Sequence, residues 1–172
     1  MNNRLVLQNI IRLIVLMLIQ LIVLNNVTPI TLLMPNIVLL FLLMMPTNTG
    51  RIPMLLISFF IGLLLDLFSN TLGFQCFAFT MGAMARILFA DRMLLNNEPI
   101  DINCPSFRVV SFQNYTVYSI TLLFIYYLTY IVLEAFSFYN VWFMVLSIFV
   151  NVIVTWILVI IYQLALIPEE KS

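Results

Sequence analysis

Along the chain, apolar residues fall into six runs separated by mostly short polar breaks, at about 5–24, 30–45, 54–68, 72–90, 115–133 and 141–167. Each run is rich in Leu, Ile, Val, Phe or Met, and none alternates with the period of two that marks a half-buried strand. The pattern predicts an all-α integral membrane protein, a six-transmembrane-helix bundle forming a single domain over residues 1–172. The second and third runs are only 16 and 15 residues at strict apolar boundaries. That is below the roughly 20 residues a bilayer core requires, so they must extend into their loops or thin the bilayer locally.

The most informative pattern lies in the third and fourth runs, PMLLISFFIGLLLDLF and LGFQCFAFTMGAMARILFADR, joined by Ser69-Asn70-Thr71. Pro53 suits a first helical turn, where its missing N–H would be unpaired anyway. Ser58, Gly62 and Asp66 follow at i, i+4 and i+8, and Ala78, Gly82 and Arg86 repeat the spacing with Ala85 widening the small patch. Two helices carrying such stripes form a hairpin whose backbones approach closely, with the stripes facing protein. Asp66 stands out, because a helix's last turn disfavours an anion and an acid inside an apolar segment is expensive. Two readings stay open: its carboxylate caps the unpaired N–H groups that open the next helix, or its charge binds a partner.

Elsewhere the polar residues fall into stripes. Gln8, Arg12 and Gln20 share a face of the first run, with Arg12 able to snorkel. Pro35 and Asn36 predict a kink in the second run, with Asn36 turned into the bundle. Tyr118, Tyr126, Tyr127 and Tyr130 give the fifth run an aromatic character, and some are expected at a membrane interface. In the sixth, Ser147, Asn151 and Thr155 read as hydrogen-bonding glue between helices. The loop 91–113 holds five of the fourteen charges, interleaved with apolar residues, and is expected to lie against the membrane interface or contact a partner in the cytoplasm. After Leu24 there is no small-residue cleavage pattern, so the first run is expected to be retained as a span.

Composition narrows the function. Hydrophobic residues make up 64% and charged residues 8%, against about 25% charged in soluble domains. Seven basic and seven acidic residues cancel, which implies no nucleic-acid partner. With no histidine, one lysine and no second intramembrane Asp beside Asp66, the chain lacks the parts of a Ser-His, zinc or aspartyl hydrolase. No enzyme activity, metal or cofactor is expected. Cys76 and Cys104 are expected to be free thiols. With the N-terminus inside, Arg4, Arg12, Arg51, Arg86, Arg92, Arg108 and Lys171 all fall on the cytoplasmic side, so both termini are expected there. Asp66 and Glu134 then lie together at the outer face.

The hairpin sequence GLLLDLFSNTLGFQCFAFTMGAMAR resembles the signature region of the rod shape-determining protein MreD family, in which a helix ending in G-x-x-x-D meets a short turn, an L-G pair and a small-residue helix. The matching positions are Gly62, Asp66, Leu72 and Gly73. The resemblance implies a non-catalytic, multi-pass subunit of the bacterial cytoplasmic (inner) membrane that supports cell shape and peptidoglycan synthesis within the cell-elongation complex (elongasome). Its implied partners are MreC, the MreB filament, RodA and a class-B penicillin-binding protein. On this reading Ser58, Gly62, Asp66, Gly73, Gly82 and Arg86 are candidate partner-binding or structural residues. A second reading, the substrate-binding S component of an energy-coupling-factor vitamin transporter, is similar in size and span count. Those subunits dock through small residues in the first helix, and here that span has neither Ala nor Gly.

Overall fold

Long runs of Leu, Ile, Val and Phe with no interior proline favour helix, because in hydrocarbon every backbone polar group must be paired within the segment. The computed structural model describes residues 3–24, 33–47, 49–94, 105–106, 110–135 and 141–166, and every regular element among them is helical. They are α1 (Asn3–Ile19), continued by a π-helical turn at Gln20–Leu24, α2 (Leu39–Met44), α3 (Arg51–Ser69), α4 (Phe74–Leu94), α5 (Phe112–Ala135) and α6 (Val141–Leu166). Among the described residues three stretches are long and apolar enough to cross a membrane, Arg51–Ser69, Phe112–Ala135 and Val141–Ala165, with mean hydropathies of 2.2, 1.8 and 2.8. Those at Asn9–Ile22 and Phe74–Ala90 are apolar but shorter.

The bundle buries polar residues within an otherwise apolar core and is apolar outside. Gln20, Asn36, Asp66, Gln75, Arg86, Asn151 and Gln163 are buried, while Phe59, Phe60, Leu67, Leu128, Ile153 and Ile161 stand exposed on the helix flanks. A chain in water hides such side chains; one immersed in lipid gains nothing by doing so. Sequence neighbours pack as spatial neighbours, α3 on α4, α4 on α5 and α5 on α6.

The second apolar run departs from the expected span over 30–45. Residues 33–36 carry no regular structure, Ile37 and Val38 turn, and only the six residues of α2 are helical, every one of them buried. The kink expected at Pro35 and Asn36 is in fact a break. Pro35 has no N–H to give a helix, and the Asn36 side chain competes for the backbone, its Oδ1 accepting from the Val38 N–H at 3.1 Å. The short helix then sits against α1, α4 and α5 as a buried plug.

Tyr118, Tyr126, Tyr127 and Tyr130, which give the fifth run its aromatic character, are all buried in the core. Tyr126 packs edge-on against Phe79 and Tyr127 with ring centroids 5.1 Å apart in each pair. The residues 25–32, 95–104, 136–140 and 167–172, with Cys104 and most of the polar loop, lie outside the described residues.

Candidate functional site: a capped hairpin and the polar core beside it

The hairpin of α3 and α4 is closed by Asp66. Its backbone carbonyl accepts from the Thr71 N–H at 3.1 Å and from the N–H of Asn70, which ends α3 in the left-handed region at φ 57°. Asn tolerates that conformation better than other residues with a Cβ. Its carboxylate turns away from α3 and into the start of α4. Oδ1 accepts from the Gln75 N–H at 3.0 Å and from the Thr71 hydroxyl, and Oδ2 accepts from the Cys76 N–H at 2.8 Å. These are two of the N–H groups that open α4 and have no partner within their own helix. The anion disfavoured at the end of α3 is therefore stabilised by the positive end of α4. Of the two readings open from sequence, the geometry realises the cap.

Gly62 makes that reach possible. It lies one turn before Asp66, and a Cβ placed on it would strike the Cys76 Cα and come within 2.8 Å of the Gln75 carbonyl oxygen and 2.9 Å of the Cys76 nitrogen. The two backbones touch here, so the Asp66 side chain spans the remaining gap. Gly73 adopts φ 89°, a conformation L side chains rarely take, and nothing crowds it. Leu72 beside it is 86% exposed at the tip of the turn.

The remaining candidates fall on the same face. Ser58 and Arg86 are buried, as are Gly82 and the flanking Ala78 and Ala85. The stripes thus meet protein as expected, but that protein is this chain's own bundle. The face around Asp66, expected as a partner surface, is buried within this chain. Arg86 lies far along α4 from Asp66 and donates to the Met45 carbonyl, well away from the acid.

Beside the hairpin turn, side chains of several helices converge on the broken segment before α2. The Pro35 carbonyl accepts from Gln20 Nε2 at 3.2 Å, and the Ile37 N–H donates to Gln20 Oε1 at 2.9 Å. The Asn36 N–H donates to the Tyr127 hydroxyl at 2.9 Å, and Asn36 Nδ2 donates to the Tyr126 hydroxyl at 2.9 Å and to Gln75 Oε1 at 3.3 Å. The Met34 N–H donates to Asn151 Oδ1 at 2.6 Å, and Tyr127 shares a 2.5 Å hydrogen bond with Thr155. Irregular backbone survives at membrane depth only where protein or a lined cavity supplies its partners. Polar residues of the π-helical turn, α5 and α6 supply them here, and Gln75 of α4 holds the Asn36 side chain. A cavity of about 460 Å³ opens beside this network, lined among others by Asn36, Thr71, Gln75, Tyr130 and Glu134. Glu134 and the turn after Asp66 are therefore at the same end of the bundle, as expected.

Sequence reasoning found Asn36 and the Asn151 and Thr155 stripe, but missed Gln75, Tyr126 and Tyr127 as its partners. The signal was present: a proline-broken apolar segment has orphan backbone groups, and the only side chains able to satisfy them are polar residues inside the other runs. Cys76 is a buried free thiol, as expected of it, with its Sγ 3.5 Å from the Phe59 carbonyl. Among the described residues no group of three or more His, Cys, Asp or Glu could hold a metal ion. Fold and site thus define an all-α chain of membrane character, built on a capped hairpin and a buried polar core. No family model, no curated protein and no solved structure matches the chain.

Proposed function

We propose that the chain is a non-catalytic subunit of the bacterial cell-elongation machinery, a protein of the MreD type that crosses the inner membrane six times with both termini in the cytoplasm. The observation that carries this reading is the hairpin junction. Three of the four positions that resemble the family signature act in one joint: Gly62 lets the helices touch, Asp66 caps the second helix, and Gly73 supplies the left-handed turn. The fourth, Leu72, stands exposed at the tip. A signature devoted to fixing a hairpin suits a scaffold subunit, whose task is to present a rigid shape to partners. Those partners, MreC foremost and then RodA, a class-B penicillin-binding protein and the MreB filament, would meet the outward faces of α3 and α4, since the inward faces are buried.

The polar cavity beside Asn36 favours a second reading, a small-molecule-binding S component of a vitamin transporter. Against it, the groups lining that cavity are largely bonded to one another and to the broken segment, which leaves few to recognise a ligand. Affinity capture of the tagged chain from native membranes, read by mass spectrometry, separates the two. Co-recovery of MreC and the peptidoglycan synthases is expected. Recovery of an ATPase pair with a transporter scaffold, and none of the elongation proteins, would overturn the first reading in favour of the second.

A further inference from the structure

At the end of the hairpin opposite Asp66 lies a second cavity, of about 190 Å³, lined among others by Thr49, Gly50, Arg51, Met54 and Arg86. Arg86 is 1% exposed. Its guanidinium has five N–H groups, of which one donates to the Met45 carbonyl and another meets the Met54 sulfur at 4.0 Å. Its Nε–H is buried with no partner. The Tyr118 hydroxyl is hydrogen-bonded to the Arg86 side chain and itself donates to the Leu43 carbonyl at 3.3 Å. A carbonyl, a thioether and a phenol hydroxyl do not neutralise a cation, and among the residues whose side chains the structure describes no carboxylate contacts Arg86. A buried charge left without a counter-ion is strongly destabilising.

Two more sources of positive potential face the same cavity. Arg51 is exposed at its rim. α3 starts after Gly50, which has no side chain to cap it, so the N–H groups of Arg51 and Ile52 and the positive dipole end of a 19-residue helix open beside the guanidinium, Pro53 having no N–H to add.

We infer that this cavity is a phosphate-binding site, in which Arg86 is the buried anchor, Arg51 closes the rim and the α3 N-terminus completes the cradle. Phosphate suits the site because its several oxygens can take a guanidinium and backbone N–H groups together. The end of an apolar helix lies at headgroup depth, where basic pockets between helices hold anionic lipids. A phospholipid headgroup and a free phosphate share this chemistry. The inference is independent of the cell-elongation reading and stands or falls separately from it.

The test uses the full chain purified in a non-ionic detergent, with phosphatidylglycerol, phosphatidylcholine and inorganic phosphate as probes. Arg51→Gln is the principal variant, because Arg51 is exposed and its loss should not disturb folding. Arg86→Gln accompanies it, and Arg12→Gln, outside the cavity lining, controls for general loss of charge. In native mass spectrometry the wild type should retain phosphatidylglycerol over phosphatidylcholine, with retention about tenfold lower in Arg51→Gln, as one charge-assisted contact predicts. A rise in melting temperature with inorganic phosphate, lost in Arg51→Gln and without lipid preference, would equally support the site and assign it to a soluble anion. Equal binding by wild type and both cavity variants, or an equal loss in Arg12→Gln, would overturn it.

Discussion

Replacing Asp66 is the sharpest test of how the hairpin is held. The carboxylate accepts three hydrogen bonds, from the Thr71 hydroxyl and the Gln75 N–H on one oxygen and the Cys76 N–H on the other. Asp66→Asn keeps the shape and the first oxygen, but turns an NH₂ toward the Cys76 N–H, donor against donor. The loss of one charge-assisted bond and the orphaning of one buried N–H together cost about 3 kcal/mol. Asp66→Leu removes every acceptor and orphans both N–H groups, for about 5 kcal/mol. Thr71→Val removes only the hydroxyl, for about 1 kcal/mol. The assay is thermal unfolding of the detergent-purified chain, followed by helix content. By the scaling for chains of this size, at 2–4 °C per kcal/mol, Asp66→Asn should melt roughly 6–12 °C below wild type. The expected order is wild type, Thr71→Val, Asp66→Asn, Asp66→Leu. If Asp66→Asn melts with the wild type, or Asp66→Leu no lower than Asp66→Asn, the carboxylate is not holding the helix start and the capping argument fails.

Two further predictions use the same measurement. Gly62→Ala gains about 1 kcal/mol of helix preference but loses more to overlap with the Gln75 and Cys76 backbone, so it should be destabilised by about 1–2 kcal/mol net. Gly82→Ala meets only the flexible end of Leu42, at 3.2 Å, and should melt close to wild type. Asn36→Leu removes the acceptor for the Val38 N–H and the donor to Tyr126 and Gln75, and should lower stability by about 2–4 kcal/mol. Unchanged melting would mean that the broken segment is held by packing alone.

The hairpin was legible in the sequence because its signal is local. A four-residue spacing of Ser58, Gly62 and Asp66, followed by a polar break, specifies a helix face and its end without reference to the rest of the chain. The break in the second run was only half legible. Pro35 marks the place, but whether a proline kinks a helix or ends it depends on whether partners exist for the freed backbone groups. Those partners stand 91 residues away at Tyr127 and 117 away at Asn151. The role of the tyrosines was hidden for a related reason: the polar end that makes Tyr common at membrane interfaces also suits it to satisfy a buried backbone.

The two ends of the hairpin pose the same electrostatic problem and solve it differently. Antiparallel helices place the positive end of α4 at the turn and the positive end of α3 at the opposite end. At the turn the chain supplies its own anion, Asp66, and the N–H groups of Gln75 and Cys76 are satisfied within the fold. At the other end, the start of α3, with no side-chain cap, is joined by Arg51 and the buried Arg86, whose acceptors among the described side chains and backbone are neutral, the Met45 carbonyl and the Tyr118 hydroxyl among them. Positive charge is thus compensated where the hairpin turns and accumulates where it opens. A fold stabilised only by its own contacts would gain by placing an acid near Arg86, a buried guanidinium held by neutral groups and with its Nε–H unpartnered being costly. That asymmetry is what a hairpin needs if one end is to be rigid and the other is to take its anion from outside.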